Sequence, residues 1–354
     1  MVIHRRERLR MRLAPQVAAA AAPSALDVRE IRHLPVREPV SGNRYSLLRV
    51  ATRSGIVGWG ECGYEPGADL KALQAEWLGK PANAWATIAP STPFRAALDI
   101  ALLDIMGKAT KAPVYRVLGG PTRGKVRAYG SPQSQEFPVA VVDVPAPVSR
   151  NQGKAYQNRI LELVNAVPGD GDFVLVGNGL LTPGDAASVA RTVETKHPLW
   201  FDEPCSHANL EALRKVSGET VVPLGFGDGI SDHGVFQALL REGLVDIVRP
   251  DIAIFGIGGA RRIAALAEPY YVAVAPRHGG GRVGTAAAIQ LAASIPNFFI
   301  QHVPVPVAEA DRAMRREMVS QALEKNNAGF LELTTAPGLG ITVNEAAVEK
   351  YHAA

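Results

Sequence analysis

The sequence contains little cysteine and no long apolar run. Its two cysteines, Cys62 and Cys205, lie far apart and share no CxxC spacing. Neither a disulfide framework nor a thiolate zinc site is therefore expected, and a reducing, cytoplasmic location is the default. No apolar segment approaches the ~18 residues that a membrane-spanning helix needs. We expect a soluble protein without a membrane partner.

Net positive charge is also scarce outside the first dozen residues. The formal net charge is only +4, and five arginines precede residue 13. The remainder is close to neutral, so a basic face for nucleic acid is not expected. Arg5 and Arg6, followed by LAPQVAAAAAPSA, outline an export signal, but Pro15 and Gln16 interrupt its apolar part. We instead expect residues 1–25 to form a disordered extension rich in arginine and alanine.

The first hundred or so residues after that extension predict a small α+β unit. Between Val28 and Gly63, apolar and polar residues alternate in three runs, which is typical of an antiparallel meander. From Pro93 to Lys111, apolar residues recur at helical spacing, and Pro113 follows. The chain is long enough for a barrel beside this smaller unit.

After Lys125 the pattern changes to strands that alternate with helices. Six apolar runs lack alternation and end in polar residues: DFVLVGNG, PLWFDEP, VVPLGFGD, VDIVRPD, YVAVAPRH and FFIQH. This is typical of parallel strands buried on both faces. The segments between them predict helices, one of which opens with Thr182 as cap and Pro183 in the first turn.

The spacing of the polar strand ends favours a closed barrel. They fall at Asn178, Asp202, Asp228, Asp251, His278 and His302, in steps of 24, 26, 23, 27 and 24 residues. A (β/α) barrel places such residues together at its carboxyl face. A doubly wound open sheet shares the period but concentrates polar residues at one switch point.

Several segments, in the same order, resemble the enolase superfamily, in particular its mandelate racemase/muconate lactonizing enzyme-like members of the sugar-acid dehydratase branch. They are YSLLRVATRSGIVGWGECG, FRAALDIALLDIMGKATKAPVYRVLGG, VDIVRPDIAIFGIGGARRIAALAE, VAPRHGGGRVGTAAAIQLAASIPNFFIQH and AGFLELTTAPGLGITVNE. The resemblance implies an α/β fold, a modified (β/α)7β TIM-type barrel with an α+β capping domain. The capping domain would comprise residues 26–125 and a returning segment, 328–354, with the barrel at 126–327. It also implies a homo-oligomer.

The resemblance further implies Mg²⁺, held by three acidic residues at consecutive strand ends. Val176 occupies the first position in place of the acidic residue, and Asn178 lies two residues later. Asp202 occupies the second position, with Glu203 beside it, and Asp228 occupies the third. We expect Asp202, Asp228 and Asn178 to be the ligands. Two shortened side chains and one lost ligand should weaken Mg²⁺ or leave it absent, because its octahedral geometry tolerates misplacement poorly.

The acid–base groups implied by the family are altered as well. Its lysine motif at the second strand has no counterpart here, and the helix before that strand is missing. Arg277 stands where the family has its histidine, and His278 follows, so Asp251 has two possible partners. An Arg277–Asp251 ion pair and a His278–Asp251 dyad, the latter through a local bulge, both stay open. His302 replaces the glutamate of the last catalytic strand.

Two functions follow. The first is a Mg²⁺-assisted lyase that abstracts the α-proton of a hydroxy or sugar carboxylate and eliminates water, with His278 or His302 as base and Asp251 positioning it. The second is a barrel that has lost this reaction and binds an anionic metabolite through Arg277, or performs metal-free chemistry. Substrate choice would depend on the loop near residues 60–67.

Overall fold

The computed structural model describes six stretches of the chain: residues 24–64, 70–88, 92–131, 136–149, 152–168 and 171–353. The predicted extension at residues 1–25 therefore lies almost wholly outside the described residues. So does most of the second half of the loop near residues 60–67.

The N-terminal strands form the expected antiparallel meander. They are β1 (Val28–Arg37), β2 (Arg44–Thr52) and β3 (Val57–Gly63), in the order β1-β2-β3. The helices of this unit are α1 (Leu70–Trp77), α2 (Pro93–Ala109) and α3 (Val114–Val117), with a 3-10 turn at Ala82–Thr87. The predictions of a meander and of a helix from Pro93 are confirmed.

Strand β3 lies directly on helix α2. A side chain at Gly60 would place its Cβ atom 1.8 Å from the carbonyl oxygen of Ala97, so only glycine allows this approach. Helix α2 is buried on most of its surface because it also packs against a barrel helix. There Asp99 accepts a hydrogen bond from the Gly258 amide at 2.7 Å.

Among the described residues, eight strands build the barrel, in agreement with the expected (β/α)7β fold. They are β4 (Lys125–Tyr129), β5 (Ala140–Asp143), β6 (Phe173–Val176), β7 (Trp200–Asp202), β8 (Leu224–Phe226), β9 (Ile247–Val248), β10 (Ala273–Val274) and β11 (Gln301–His302). Strands β5 to β10 pair in parallel in sequence order, and β11 pairs in parallel with β4. An isolated parallel bridge between Val274 and Phe298 connects β10 to the segment before β11.

Seven helices follow strands of the barrel: α4 (Lys154–Asn165), α5 (Pro183–Val193), α6 (Leu210–Gly218), α7 (His233–Arg241), α8 (Ile252–Ala267), α9 (Arg282–Ala292) and α10 (Glu309–Met318). The predicted cap of α5 is present, since the Thr182 hydroxyl accepts a hydrogen bond from the Asp185 amide at 3.1 Å. Helix α8 is interrupted at Gly256, where φ is +64°.

The connection from β4 to β5 contains no helix in its described part, residues 130–131 and 136–139. This agrees with the missing helix noted in the sequence. The edge of β4 that does not contact β11 pairs instead with β13 (Phe330–Glu332) of a short hairpin, whose other strand is β12 (Asn326–Asn327).

The C-terminal segment ends beside the first strand of the meander. Helix α11 (Glu345–Lys350) contacts β1, and the Ala353 amide donates to the Pro35 carbonyl at 2.8 Å. The boundaries of the capping and barrel units stay a prediction.

No helix among the described residues has both the length and the apolar character needed to cross a bilayer. Cys62 and Cys205 are both buried, and no disulfide joins them.

Candidate active site

The carboxyl ends of the barrel strands surround one cavity of about 180 Å³. Six polar side chains that line it stand at or just after the ends of different strands: Asp143, Asn178, Asp202, Asp228, Arg277 and His302. Because these strands are parallel, residues some two dozen positions apart in sequence meet at one face of the barrel.

Most of the residues singled out in the sequence meet at this cavity. Asn178, Asp202, Asp228, Arg277 and His302 line it, whereas Asp251 and His278 do not. Asp251 instead caps helix α8, since its Oδ1 accepts a hydrogen bond from the Ala253 amide at 2.8 Å.

Asp202 is held by a buried arginine. It forms an ion pair with Arg249, and both side chains have an exposed fraction of only 6%. Its other oxygen accepts a hydrogen bond from the Trp200 indole at 3.2 Å, and Arg249 also donates to the Tyr129 hydroxyl at 2.8 Å. Burial alone would lower the pKa of Arg249, but the interactions with Asp202, Tyr129 and Glu203 together outweigh burial and raise that pKa.

A second arginine holds the neighbouring strand end. Arg277 forms an ion pair with Asp228, and its Nη1 lies 3.7 Å from Oδ2 of Asp251. Asp251 and Arg277 are also backbone neighbours in a parallel bridge. Of the two arrangements that the sequence left open, the structure contains the Arg277–Asp251 pair.

His278 faces away from the cavity. Its Nε2 lies 3.2 Å from the Thr285 hydroxyl, and its Nδ1 has no hydrogen-bond partner among the described residues. Burial, with the charges of Arg315 and Arg277, lowers the pKa of His278 to about 3. A side chain one residue beyond an inward-facing neighbour on an extended chain points to the opposite side, which explains the placement.

His302, unlike His278, lines the cavity and provides its imidazole group. Its ring centroid lies 5.2 Å from that of Tyr129. Burial, assisted by Arg249 and Arg277, lowers the pKa of His302 well below its ordinary value. The ring is therefore neutral near pH 7 and has a lone pair to accept a proton. An anionic ligand beside it would raise its basicity.

Glu203 follows Asp202 in a left-handed conformation, with φ of +44°. Its Oε1 accepts hydrogen bonds from the amides of Gly227 at 2.5 Å and Asp228 at 2.7 Å. Burial, and next the charge of Asp202, raise the pKa of Glu203 to about 8. This carboxyl group therefore holds a proton near neutral pH.

Two charged residues of the cavity were not predicted from the sequence. Asp143 ends β5, where the resemblance implies lysines, and its side chain is hydrogen-bonded to Asn178. Burial raises the pKa of Asp143. Arg249 is the other. Its signal was a charged residue inside the apolar run VDIVRPD, since a charge buried in a strand must find a partner.

The side chains expected to bind Mg²⁺ fit the ion poorly in this cavity. Arginines already neutralise Asp202 and Asp228, and Val176 offers no ligand atom at the first position. In the part of the chain that the structure describes, no three His, Cys, Asp or Glu side chains cluster as a metal site would require.

Comparison with known proteins identifies the family. The sequence model described as "Enolase C-terminal domain-like" matches residues 147–347. The chain belongs to this family. This match places the protein in the enolase superfamily, among mandelate racemase/muconate lactonizing enzyme-like proteins, as the resemblance predicted.

Relatives within the superfamily include sugar-acid dehydratases. A D-galactonate dehydratase of Variovorax paradoxus is 29% identical over 349 residues, which cover 85% of this chain and 89% of that protein. A D-gluconate dehydratase of Thermoproteus tenax is 24% identical over 379 residues, covering 92% and 74%. The fold matches an enolase from Agrobacterium radiobacter, solved with sodium and L-malate bound, with a TM-score of 0.81 at 22% identity and coverage of 93% and 95%.

Proposed function

We propose that the protein is a lyase that abstracts the α-proton of a hydroxy or sugar carboxylate and eliminates water from it. The observation that carries this proposal is a single cavity that combines a neutral imidazole, two guanidinium groups and several carboxyl groups at the carboxyl face of the barrel. Family membership and the dehydratase relatives support the same chemistry, which Mg²⁺ assists in the superfamily.

Two side chains of the cavity, Arg277 and His302, would carry out the steps of the reaction. A proton beside a carboxylate is very weakly acidic, so its removal needs positive charge next to the enediolate that forms. Arg277 would bind the substrate carboxylate, with Asp251 as its positioning residue at 3.7 Å. His302 would take the α-proton through its neutral ring.

Elimination suits a cavity with one histidine. The imidazolium formed at His302 can return the proton to the departing β-hydroxyl group, so that one residue serves both halves of the reaction. Racemisation would need a second proton-exchanging group on the opposite face of the substrate. His278 does not line the cavity, and we therefore assign the base to His302.

The ligands expected for Mg²⁺ in this chain are Asp202, Asp228 and Asn178. Because the first two are ion-paired to arginines, they fit the ion poorly. The steps above accordingly use only groups of the chain itself.

We also propose that the protein works as a homo-oligomer in the cytoplasm. Barrels of the family that it resembles commonly associate, and two buried cysteines without a disulfide suit a reducing compartment. Light scattering coupled to gel filtration checks the first statement, and a monomeric mass at working concentration would overturn it.

The test of the reaction is formation of a 2-keto acid. The protein is incubated with a panel of aldonic and aldaric acids, with and without Mg²⁺, and keto acids are trapped as semicarbazones. At least one panel member should be converted by the native protein and not after Arg277→Gln. If no panel member is converted in either buffer, the lyase proposal is wrong, and a barrel without this activity is the remaining hypothesis.

A further inference from the structure

Both carboxylates that the family would use for a metal are already occupied by cations of the chain. Arg249 holds Asp202, and Arg277 holds Asp228. The residue at the first ligand position, Val176, is apolar. The first metal-ligand position therefore lacks an acidic residue, and an arginine is paired with the acidic residue at each of the other two positions.

Arg249 is fixed in place. Its Nη1 contacts Asp202 and its Nη2 donates to Tyr129 at 2.8 Å, while its Cζ lies 5.8 Å from the centroid of the Trp200 ring. The Trp200 indole occupies the second oxygen of Asp202. A metal ion could bind Asp202 only by breaking these contacts and leaving a buried guanidinium without its counter-ion, which is strongly unfavourable.

Arg249 also borders the space that a ligand would fill. It lines the cavity, and its Nε is buried without a hydrogen-bond partner among the described residues. Arg277 is the more accessible of the two, with 23% of its side chain exposed, and its partner Asp228 is 54% exposed. An incoming carboxylate can displace Asp228 into water at little cost, because an exposed ion pair contributes little stability.

We propose that Arg249 and Arg277 replace the divalent cation of the family, so that this cavity binds its carboxylate substrate directly through guanidinium groups and without Mg²⁺. Arg277 takes the carboxylate in the place of Asp228, and Arg249 supplies fixed positive charge from behind Asp202. The inference rests on the proposed function for the class of substrate. It concerns binding, however, and is measurable without turnover.

The first experiment is calorimetric titration with Mg²⁺ alone. The native protein should give no saturable heat at millimolar Mg²⁺. V176D should behave alike, because Arg249 still occupies Asp202. The double variant V176D/R249Q restores an acid at the first position and frees the second, and it should bind one ion. Saturable Mg²⁺ binding by the native protein, or none by the double variant, overturns the role given to Arg249.

The second experiment measures binding of the aldonate and aldarate panel by tryptophan fluorescence, in EDTA and in Mg²⁺. At least one acid should bind with the same affinity in both buffers. R249Q and R277Q should each weaken it roughly 10- to 100-fold. R249K, which keeps the charge, should bind more tightly than R249Q. The matched control is R282Q, which removes a buried ion pair to Glu324 outside the cavity and should leave affinity unchanged.

The outcomes separate this inference from the lyase proposal. Binding in EDTA without keto-acid formation supports the guanidinium site and removes the lyase. Keto-acid formation that requires Mg²⁺ supports the lyase and overturns the guanidinium site. Binding by no panel member in either buffer overturns the guanidinium site as well.

Discussion

Arg249 and Asp202 form a buried ion pair between neighbouring parts of the barrel, at the place where the family of this protein carries a metal ligand. Each side chain has an exposed fraction of 6%. Arg249 follows β9 and Asp202 ends β7, so the pair also ties together two strands that are separated by β8. Stability and chemistry therefore depend on the same contact.

Removal of one partner should be costly. Asp202→Asn leaves the Arg249 guanidinium buried without its counter-ion, and we expect a loss of about 3–5 kcal/mol in the free energy of unfolding. Urea denaturation measures this. The double variant Asp202→Leu/Arg249→Met should recover most of the loss, because similar apolar volume replaces the pair. A loss below about 1 kcal/mol, the value for surface pairs, would contradict the buried pairing.

Glu61 should make stability depend on pH. It is buried in β3, where its Oε1 accepts a hydrogen bond from the Gly281 amide at 2.6 Å, and burial raises its pKa from 4.5 to about 7. The folded state thus keeps a proton that the unfolded chain releases. The contribution of the protonated Glu61 to the free energy of unfolding is complete below pH 4.5 and is lost as the pH rises to about 7.

Glu61→Gln should remove that share of the pH dependence, on the order of 3 kcal/mol between pH 4.5 and 7. Urea unfolding of both proteins at pH 5 and pH 8 gives the comparison. The surface variant Glu309→Gln serves as control, since 74% of that side chain is exposed. An equal loss of stability on raising the pH in native protein and Glu61→Gln would show that Glu61 titrates normally.

Gly227 allows two strand ends to meet. A Cβ atom there would lie 2.0 Å from the Arg249 carbonyl oxygen, so Gly227→Ala must displace backbone beside the cavity. We expect a loss of about 1–3 kcal/mol or more and a large fall in activity. Gly218→Ala is the matched control, because no atom lies within 4 Å of its Cβ position. Equal melting temperatures for the two variants would argue against the close approach.

His302 carries the proton in the proposed reaction. His302→Gln should lower kcat roughly 10²- to 10⁴-fold, the usual contribution of a general base, with a much smaller change in KM. His197→Asn, on the loop before β7 at the opposite end of the barrel, should leave kcat unchanged. Retention of kcat in His302→Gln would assign the base elsewhere, and Asp143 would then be the next variant to examine.

The fold was largely predictable because periodic features carry it. The meander from Val28 to Gly63, the helix from Pro93 and the two-dozen-residue repeat all follow from local patterns of apolar residues, and the structure confirms them. Helices α1, α3, α4, α10 and α11 were not predicted. The hairpin of β12 and β13 beside β4 could not be foreseen, since pairing between distant segments leaves no local pattern.

The site was predictable in position and less so in detail. Strand periodicity places Asp202, Asp228 and His302 at one face of the barrel, but the direction of a side chain at a strand end depends on one residue of register. His278 turned away from the cavity for that reason. The partner of a charged residue such as Arg249 depends on strands far away in sequence, so its pair with Asp202 was visible only in three dimensions.

The most direct test of the account is the fate of the hydrogen at carbon 2 when a converted acid is incubated in D₂O. Abstraction of the α-proton and loss of the β-hydroxyl give an enol, which takes its new hydrogen from solvent at carbon 3. Proton NMR and mass spectrometry of the 2-keto-3-deoxy product should show one deuterium at carbon 3, and the native protein should form it while His302→Gln does not. A product that carries the original carbon-2 hydrogen at carbon 3 would contradict proton abstraction.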